Sequence, residues 1–198
     1  MIELELVRRA KAGDNAALSE LLAGHSTRAY RVALHVLRNQ ADAEDAIQNA
    51  FVKAFSNLAR FDERRPFAPW LLRIVVREAL NLGRAERTRF AFWQRQYEHP
   101  QRLEVEETAE SIALDRVEQQ DLLRAVNQLR TNDRLVITLS YFMGMSEADV
   151  AVTLGVRRGT VKKRKHDALV RLRALVQREF PGLQPLVAER LESGGATS

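Results

Sequence analysis

Apolar side chains recur three and four residues apart along almost the whole chain, and no stretch alternates apolar with polar residues as a half-buried strand does. Glycine and proline are sparse, 9 and 5 of 198 residues, so little interrupts a helical repeat. The pattern predicts an all-α protein. A first helix is expected over residues 2–11, punctuated by Gly13 and Asp14, with three or four more helices before about Arg89. Pro66 and Pro69 predict a loop between a segment ending near Leu58 and one beginning near Trp70, because proline cannot continue a preceding helix. Residues 91–118 contain the acidic run EVEETAE and read as a linker or a weakly packed helix. A second helical block follows at 119–178. Residues 179–198, with Pro181, Gly182, Pro185 and a terminal SGGATS, read as a fraying tail. The expected architecture is therefore two small helical domains, 1–90 and 119–178, joined by an acidic linker.

The most informative segment is MGMSEADVAVTLGVRRGTVKKRKHDALVRLR, residues 143–173. Ser146 followed three residues later by Asp149 starts a helix with a capping-box pattern. Val150, Ala151 and Leu154 share one face of that short helix, Gly155 permits a tight turn, and Val156 can fill the space behind it. A second helix then presents Val161, Ala168, Leu169 and Leu172 inward. This is the layout of a helix-turn-helix. Between residues 157 and 165 lie Arg157, Arg158, Lys162, Lys163, Arg164 and Lys165 with no acidic residue, on the part of the second helix that enters a major groove in this motif. Arginine can read guanine edges bidentately and lysine can neutralise phosphate. A charge run on a helix is in general only a solvated face; the turn chemistry together with the one-sided charge favours DNA here.

Net charge supports the same direction. The chain carries +5 overall, distributed as +4 over residues 1–90, −4 over 91–118, +7 over 119–178 and −2 over 179–198. Two basic blocks flank an acidic one, as suits a polyanion partner, though a solvated basic surface gives the same sum. Cysteine is absent, which excludes disulfides, a thiolate nucleophile and cysteine-held metal centres. The N-terminal MIELELVRRAKAGD lacks a signal pattern, and no run approaches the roughly 20 apolar residues needed to span a bilayer, so a cytoplasmic protein is expected.

Two further constellations lie in the first block. In FAPWLLRIVVREALNLGR, residues 67–84, Leu71, Val75, Ala79 and Leu82 form an inward stripe with Leu72 and Ile74 at its margins. Trp70, Arg73, Arg77, Asn81 and Arg84 fall together on another face. An aromatic beside arginines and an amide can track phosphates, stack on an unpaired base and bond its edge. Phe61 and Phe67 flank the proline loop and could wall a pocket for an extruded base; the competing reading, the commoner one for an isolated tryptophan, is that Trp70 and both phenylalanines are core. In DAEDAIQNAFVKAFSNL, residues 42–58, the inward set is Ile47, Ala50, Phe51, Ala54, Phe55 and Leu58. The opposite face carries Asp45, Gln48, Asn49, Val52 and Ser56, suited either to docking on a basic helix or to plain solvation. No catalytic arrangement emerges: His25, His35, His99 and His166 are scattered without metal-ligand spacing, and there is neither a phosphate-binding glycine loop nor a nucleophile elbow. No cofactor or small-molecule substrate is expected, and the chain reads as a non-enzyme.

DAEDAIQNAFVKAF, then FAPWLLRIVVREALN, then GTVKKRKHDALVRLR, in this order and spacing, resemble bacterial sigma factors of the extracytoplasmic-function group over about residues 5–175. The resemblance implies that residues 1–90 are sigma region 2 and 119–178 sigma region 4, bound to core RNA polymerase at the β′ clamp helices and the β flap. It implies that Asp45, Gln48, Asn49 and Val52 dock on the clamp helices. Phe61, Phe67, Trp70, Arg73, Arg77, Asn81 and Arg84 would recognise and melt the minus-ten element of promoter DNA. Arg157, Arg158, Thr160, Lys162, Lys163 and Arg164 would read the minus-thirty-five element. The acidic linker would thread toward the polymerase active site and RNA exit path, and an anti-sigma factor, often membrane-anchored, would hold the protein inactive. Three positions depart from the family: Arg77 stands where asparagine is frequent, Arg157 where a capping serine is frequent, and Lys165 where an apolar residue packs on the first helix of the motif. Two other readings rest on the same residues: a duplex-binding regulator using only the helix-turn-helix, which has no need of Trp70–Arg84, and a module whose basic faces bind acidic proteins.

Overall fold

Alanine sets how the first four helices meet. The computed structural model describes residues 2–94 and 113–183, all of whose regular elements are helical. They form two compact units, one over residues 2–94 together with 152–155 and the other over 113–151 and 156–183. In the first, α1 (Ile2–Lys11), α2 (Asn15–Leu37), α3 (Gln40–Asn57) and α4 (Phe67–Gln94) pack together. Ala17, Ala29, Ala33, Ala43, Ala46, Ala50, Ala54 and Ala79 are all buried along their contacts. Small side chains let helix backbones approach closely, and the larger Leu21, Val32, Leu71, Leu72 and Val75 fill the remaining space.

The boundaries follow local chemistry. Gly13 takes φ +96°, a left-handed conformation that glycine adopts without strain, and releases the chain from α1. Asp14 then caps α2, its Oδ1 accepting from the backbone N–H groups of Ala16 at 2.9 Å and Ala17 at 3.0 Å. Those bonds, with Arg9 beside it, hold the Asp14 carboxyl below its ordinary range. Asn39 caps α3 through the N–H of Asp42. Between α3 and α4 a 3-10 turn, Leu58–Arg60, leads into the proline segment. The loop is shorter than the two prolines predict: α4 begins at Phe67, so Pro69 lies in its first turn, where the missing N–H would have no intrahelical partner anyway.

The second unit contains α5 (Ala113–Gln128), α6 (Thr131–Ile137), a π-helical turn (Thr138–Phe142), most of α7 (Glu147–Leu154) and α8 (Arg158–Glu179). Leu122, Ala125, Val126 and Leu129 of α5 and its end pack with Ile137, Ala168, Leu172 and Val176. The buried Arg134 guanidinium donates to the carbonyls of Asn127 at 3.1 Å and Leu129 at 3.0 Å, satisfying acceptors that the end of α5 leaves open. Asp133 accepts from Arg171 at 2.7 Å and ties α6 to α8. The expected linker, 91–118, begins within α4 and ends within α5; residues 95–112, and the tail beyond 183, lie outside the described residues.

Candidate nucleic-acid interfaces

On α4 the expected inward stripe is present, with Leu71, Leu72, Val75, Val76 and Ala79 buried, Ile74 and Leu82 half-buried. That seating leaves Arg73, Arg77, Asn81 and Arg84 exposed. Together with the end of α3 they form a cleft of about 550 Å³ lined by Lys53, Asn57, Arg60, Trp70, Arg73, Ile74, Arg77, Glu78 and Asn81. Four cations and one carboxylate line it, with one indole and one aliphatic side chain as its apolar surface. Such a wall can neutralise phosphates and stack an unpaired base.

Phe61 and Phe67 do not line this cleft, contrary to the expectation that they could wall a base pocket: they are 4% and 2% exposed, inside the core. Their rings sit 5.5 Å apart in an edge-on arrangement, and each lies within 5.3 Å of the Trp70 ring. The hydrophobic effect wins at these two positions because phenylalanine has no polar atom to keep wet. Trp70 does both jobs, resting on the buried rings and facing the cleft. Lys53, Asn57, Arg60, Ile74 and Glu78 were not among the sequence candidates. Lys53, Asn57 and Arg60 recur at i, i+4 and i+7, so their shared face is legible, but nothing local says that this face meets α4.

The 61–66 loop at one end of α4 is tied to α1. Glu63 accepts from Arg8 at 3.1 Å and from Lys11 at 3.0 Å, and Lys11 also donates to the Phe61 carbonyl at 3.0 Å. Lys11 and Arg8 hold the Glu63 carboxyl below its usual range.

On α3, Asp45, Gln48, Asn49 and Val52 are all exposed. Phe55, expected inside, is also out, at 55%, beside Val52 at 66%. The alanine ridge Ala43, Ala46, Ala50 and Ala54 takes the innermost line, which rotates Phe55 to the rim. The outer face of α3 thus carries two large apolar groups among polar ones.

In the second unit the helix-turn-helix forms as its turn chemistry predicts. The Asp149 N–H donates to Ser146 Oγ at 3.1 Å, and the Ser146 hydroxyl donates to Asp149 Oδ2 at 2.7 Å. Gly155 takes φ +65° in the turn, and Val150, Val161, Ala168 and Leu172 are buried. Ser146→Ala should destabilise this unit by about 1 kcal/mol, read as a lower urea midpoint at unchanged slope. Arg157 occupies the cap position of α8 without a side-chain cap bond, as its departure from serine implies. Arg157, Arg158, Lys162 and Lys163 are exposed; Thr160 and Arg164 are half-buried. Lys165 turns back across the motif: its Nζ lies 2.9 Å from Glu147 Oε1 and bridges the two helices. Arg158 reaches the other oxygen of Glu147 at 3.7 Å.

Hydrogen bonding from Lys165, reinforced by its charge, holds the Glu147 carboxyl below the ordinary glutamate value. A lowered folded-state pKa means that this contribution is fully present above the unfolded value, about 4.3, and is lost as pH falls through the folded one. Wild type and Glu147→Gln should therefore differ most in Tm near pH 7, and the gap should close progressively below about pH 4.3.

A cationic cleft with one indole in its wall and a basic helix presented by a turn are the features of a helical nucleic-acid-binding protein. Residues 21–89 match the family Sigma-70 region 2, and residues 119–172 match Sigma-70, region 4. The chain is 29% identical over 177 residues, 89% of its length and 95% of the relative, to the RNA polymerase sigma factor NccH of Alcaligenes xylosoxydans xylosoxydans. It is 32% identical over 173 residues, 86% of its length and 95% of the relative, to the ECF RNA polymerase sigma factor SigL of Mycobacterium tuberculosis. Among solved structures, CnrH in complex with the cytosolic domain of CnrY matches with a TM-score of 0.67 and 26% identity, covering 90% of this chain and 99% of that one. The chain belongs to the extracytoplasmic-function group of the sigma-70 family of RNA polymerase sigma factors. Members of that family are transcription initiation factors rather than enzymes. Among the described residues no group of three or more histidine, aspartate or glutamate side chains could hold a metal ion, and no helix is long and apolar enough to cross a membrane.

Proposed function

We propose that this sigma factor divides its work among three surfaces. The outer face of α3, Asp45, Gln48, Asn49 and Val52 with Phe55 added, docks on the β′ clamp helices of core polymerase. The cleft between α3 and α4 takes the melted minus-ten strand through Trp70, Arg73, Arg77 and Asn81, with Arg84 further along the same face; Phe61 and Phe67 support Trp70 from beneath. The start of α8 reads the minus-thirty-five duplex through Arg157, Arg158, Lys162 and Lys163, with Thr160 and Arg164 at its edge. The protein contributes recognition and melting, while the chemistry stays with the polymerase. The observation that carries this reading is the cleft: four cations around one indole is a surface that a duplex-only regulator does not require.

Residues 1–90 and 119–178 act as the two promoter-binding domains, with the acidic segment 91–118 threading between them through the polymerase. The region 4 unit also meets the β flap. CnrH is described with the cytosolic domain of CnrY; by the same logic an anti-sigma factor, anchored at the membrane or not, withholds this chain from polymerase in the cytoplasm. The deciding experiment is transcription from a genomic promoter pool of the source bacterium by sigma-free core polymerase, with and without the protein, followed by sequencing of transcript starts. Discrete new starts sharing two upstream elements are expected. No protein-dependent start, with active core and folded protein, would overturn the reading.

A further inference from the structure

Glu78 is out of place in a phosphate-binding cleft. It supplies the only carboxylate among the residues lining the cavity, against four cations. A carboxylate repels phosphate, so at this place it weakens the function that its neighbours serve. Glu78 is also well covered, its side chain 11% exposed. In the structure the charge is answered by Lys53, whose Nζ donates to Glu78 Oε2 from α3 across to α4.

That pairing is asymmetric. The Lys53 side chain is 54% exposed on a flexible four-carbon stem, whereas the Glu78 side chain is 11% exposed. A strand phosphate entering the cleft competes for the Lys53 ammonium and can draw it away. Glu78 stays the more covered of the two. A covered carboxylate stripped of its partner is strongly unfavourable unless another donor takes that partner's place. The incoming strand brings such donors on its bases. Trp70 offers a face on which one unpaired base can stack, and Arg77, Glu78 and Asn81 line the cleft about two to three helical turns further along α4, where another base of the same strand would meet them.

We infer that Glu78 makes this cleft selective for an unpaired base bearing an exocyclic amino group, and that it rejects thymine. Adenine, cytosine and guanine each carry an amino donor that an acceptor-only carboxylate can take up, while their ring nitrogens or carbonyls accept from Arg77 or Asn81. Thymine's single edge donor is an imino N–H flanked by two carbonyl oxygens, so a carboxylate that accepts it meets an acceptor on either side and is paired less well than by an amino group. Lys53 acts as the placeholder in the empty cleft, exchanged for base and phosphate together on strand entry. This inference rests on the cleft being the minus-ten strand site.

The test uses holoenzyme assembled from sigma-free core and the full chain, on promoter templates whose non-template strand is randomised over a pre-opened segment. Base frequencies in transcribed templates are compared with the input pool. Wild type should deplete thymine at one position by about fivefold or more, the discrimination one well-made base contact supplies. Among the templates it transcribes, at whatever overall rate, Glu78→Ala should lose that depletion, and Glu78→Gln, which keeps the volume and one acceptor, should show an intermediate profile. An unchanged profile in both variants, or no thymine-depleted position in wild type, overturns the inference. Should the alanine variant fail to fold, as judged by circular dichroism, the glutamine profile decides. The strand-site reading is tested separately in the same assay by Arg73→Ala/Arg77→Ala: if that double variant transcribes as wild type does, the site itself is wrong, whereas failure of the Glu78 arms alone leaves the site standing.

Discussion

Alanine at both Arg73 and Arg77 is expected to reduce promoter-dependent transcription on duplex templates by at least 10²-fold, a loss of about 3–6 kcal/mol if each guanidinium makes one charge-assisted hydrogen bond. Both side chains are exposed on α4, on the face away from the buried Leu71, Leu72, Val75 and Ala79, so their removal opens no cavity. Helicity and Tm should stay near wild type, and so should the affinity for core polymerase, because α3 carries that surface in the proposed division of work. The measurement is a run-off assay on one promoter from the start-site pool, run beside a core-binding assay. Salt offers a second check. If the arginines neutralise strand phosphates, the dependence of open-complex affinity on log[salt] should become shallower by about 0.7 for each single-strand phosphate that the variant no longer neutralises. Activity within a few fold of wild type would move melting elsewhere in the chain.

A negative charge at Val52 is the second change with a large expected effect. Val52 and Phe55 are 66% and 55% exposed and three residues apart, so they lie side by side on α3 among Gln48, Asn49 and Ser56. An exposed apolar pair inside a polar frame is the composition of a hot spot that excludes water from its rim. Val52→Asp should weaken core binding by 30-fold or more, corresponding to about 2 kcal/mol or above, with Phe55→Asp adding to the loss. Neither variant should lower the urea midpoint appreciably, since both side chains are already in water. Competition for core against a labelled sigma factor measures the effect. Unaltered binding in the double variant would exclude this face as the docking surface and leave the two groups as incidental exposure.

The local elements were legible because their causes lie within a few residues. Ser146 and Asp149 announce a helix start, Gly155 a turn, and Val150, Val161, Ala168 and Leu172 two faces that must meet; each needs only the 3.6-residue period and the hydrogen-bonding habits of short polar side chains. The Arg73, Arg77, Asn81 and Arg84 face follows from the same period once Leu71, Val75 and Ala79 are turned inward. The lack of cysteine and the two basic blocks are likewise properties of the chain by itself, and they excluded whole classes of chemistry before any fold was known.

Tertiary packing decided what period alone leaves degenerate. On α3, both the alanine ridge and the line of Ile47, Phe51 and Phe55 satisfy an amphipathic pattern; close approach of neighbouring helices selects the small residues, and Phe55 is turned out. Phe61 and Phe67 lie only six residues apart around the proline loop, yet whether they face a ligand or the core depended on Val7, Ala17 and Leu21 arriving from elsewhere in the chain. The partnership of Lys53 with Glu78 spans 25 residues and two helices, and no local pattern joins them. Helical faces, caps and charge are written in short-range sequence because they arise from covalent geometry and solvation near each residue. The choice of which face meets which, and so the lining of the cleft, arises from volume and burial summed over the whole first unit.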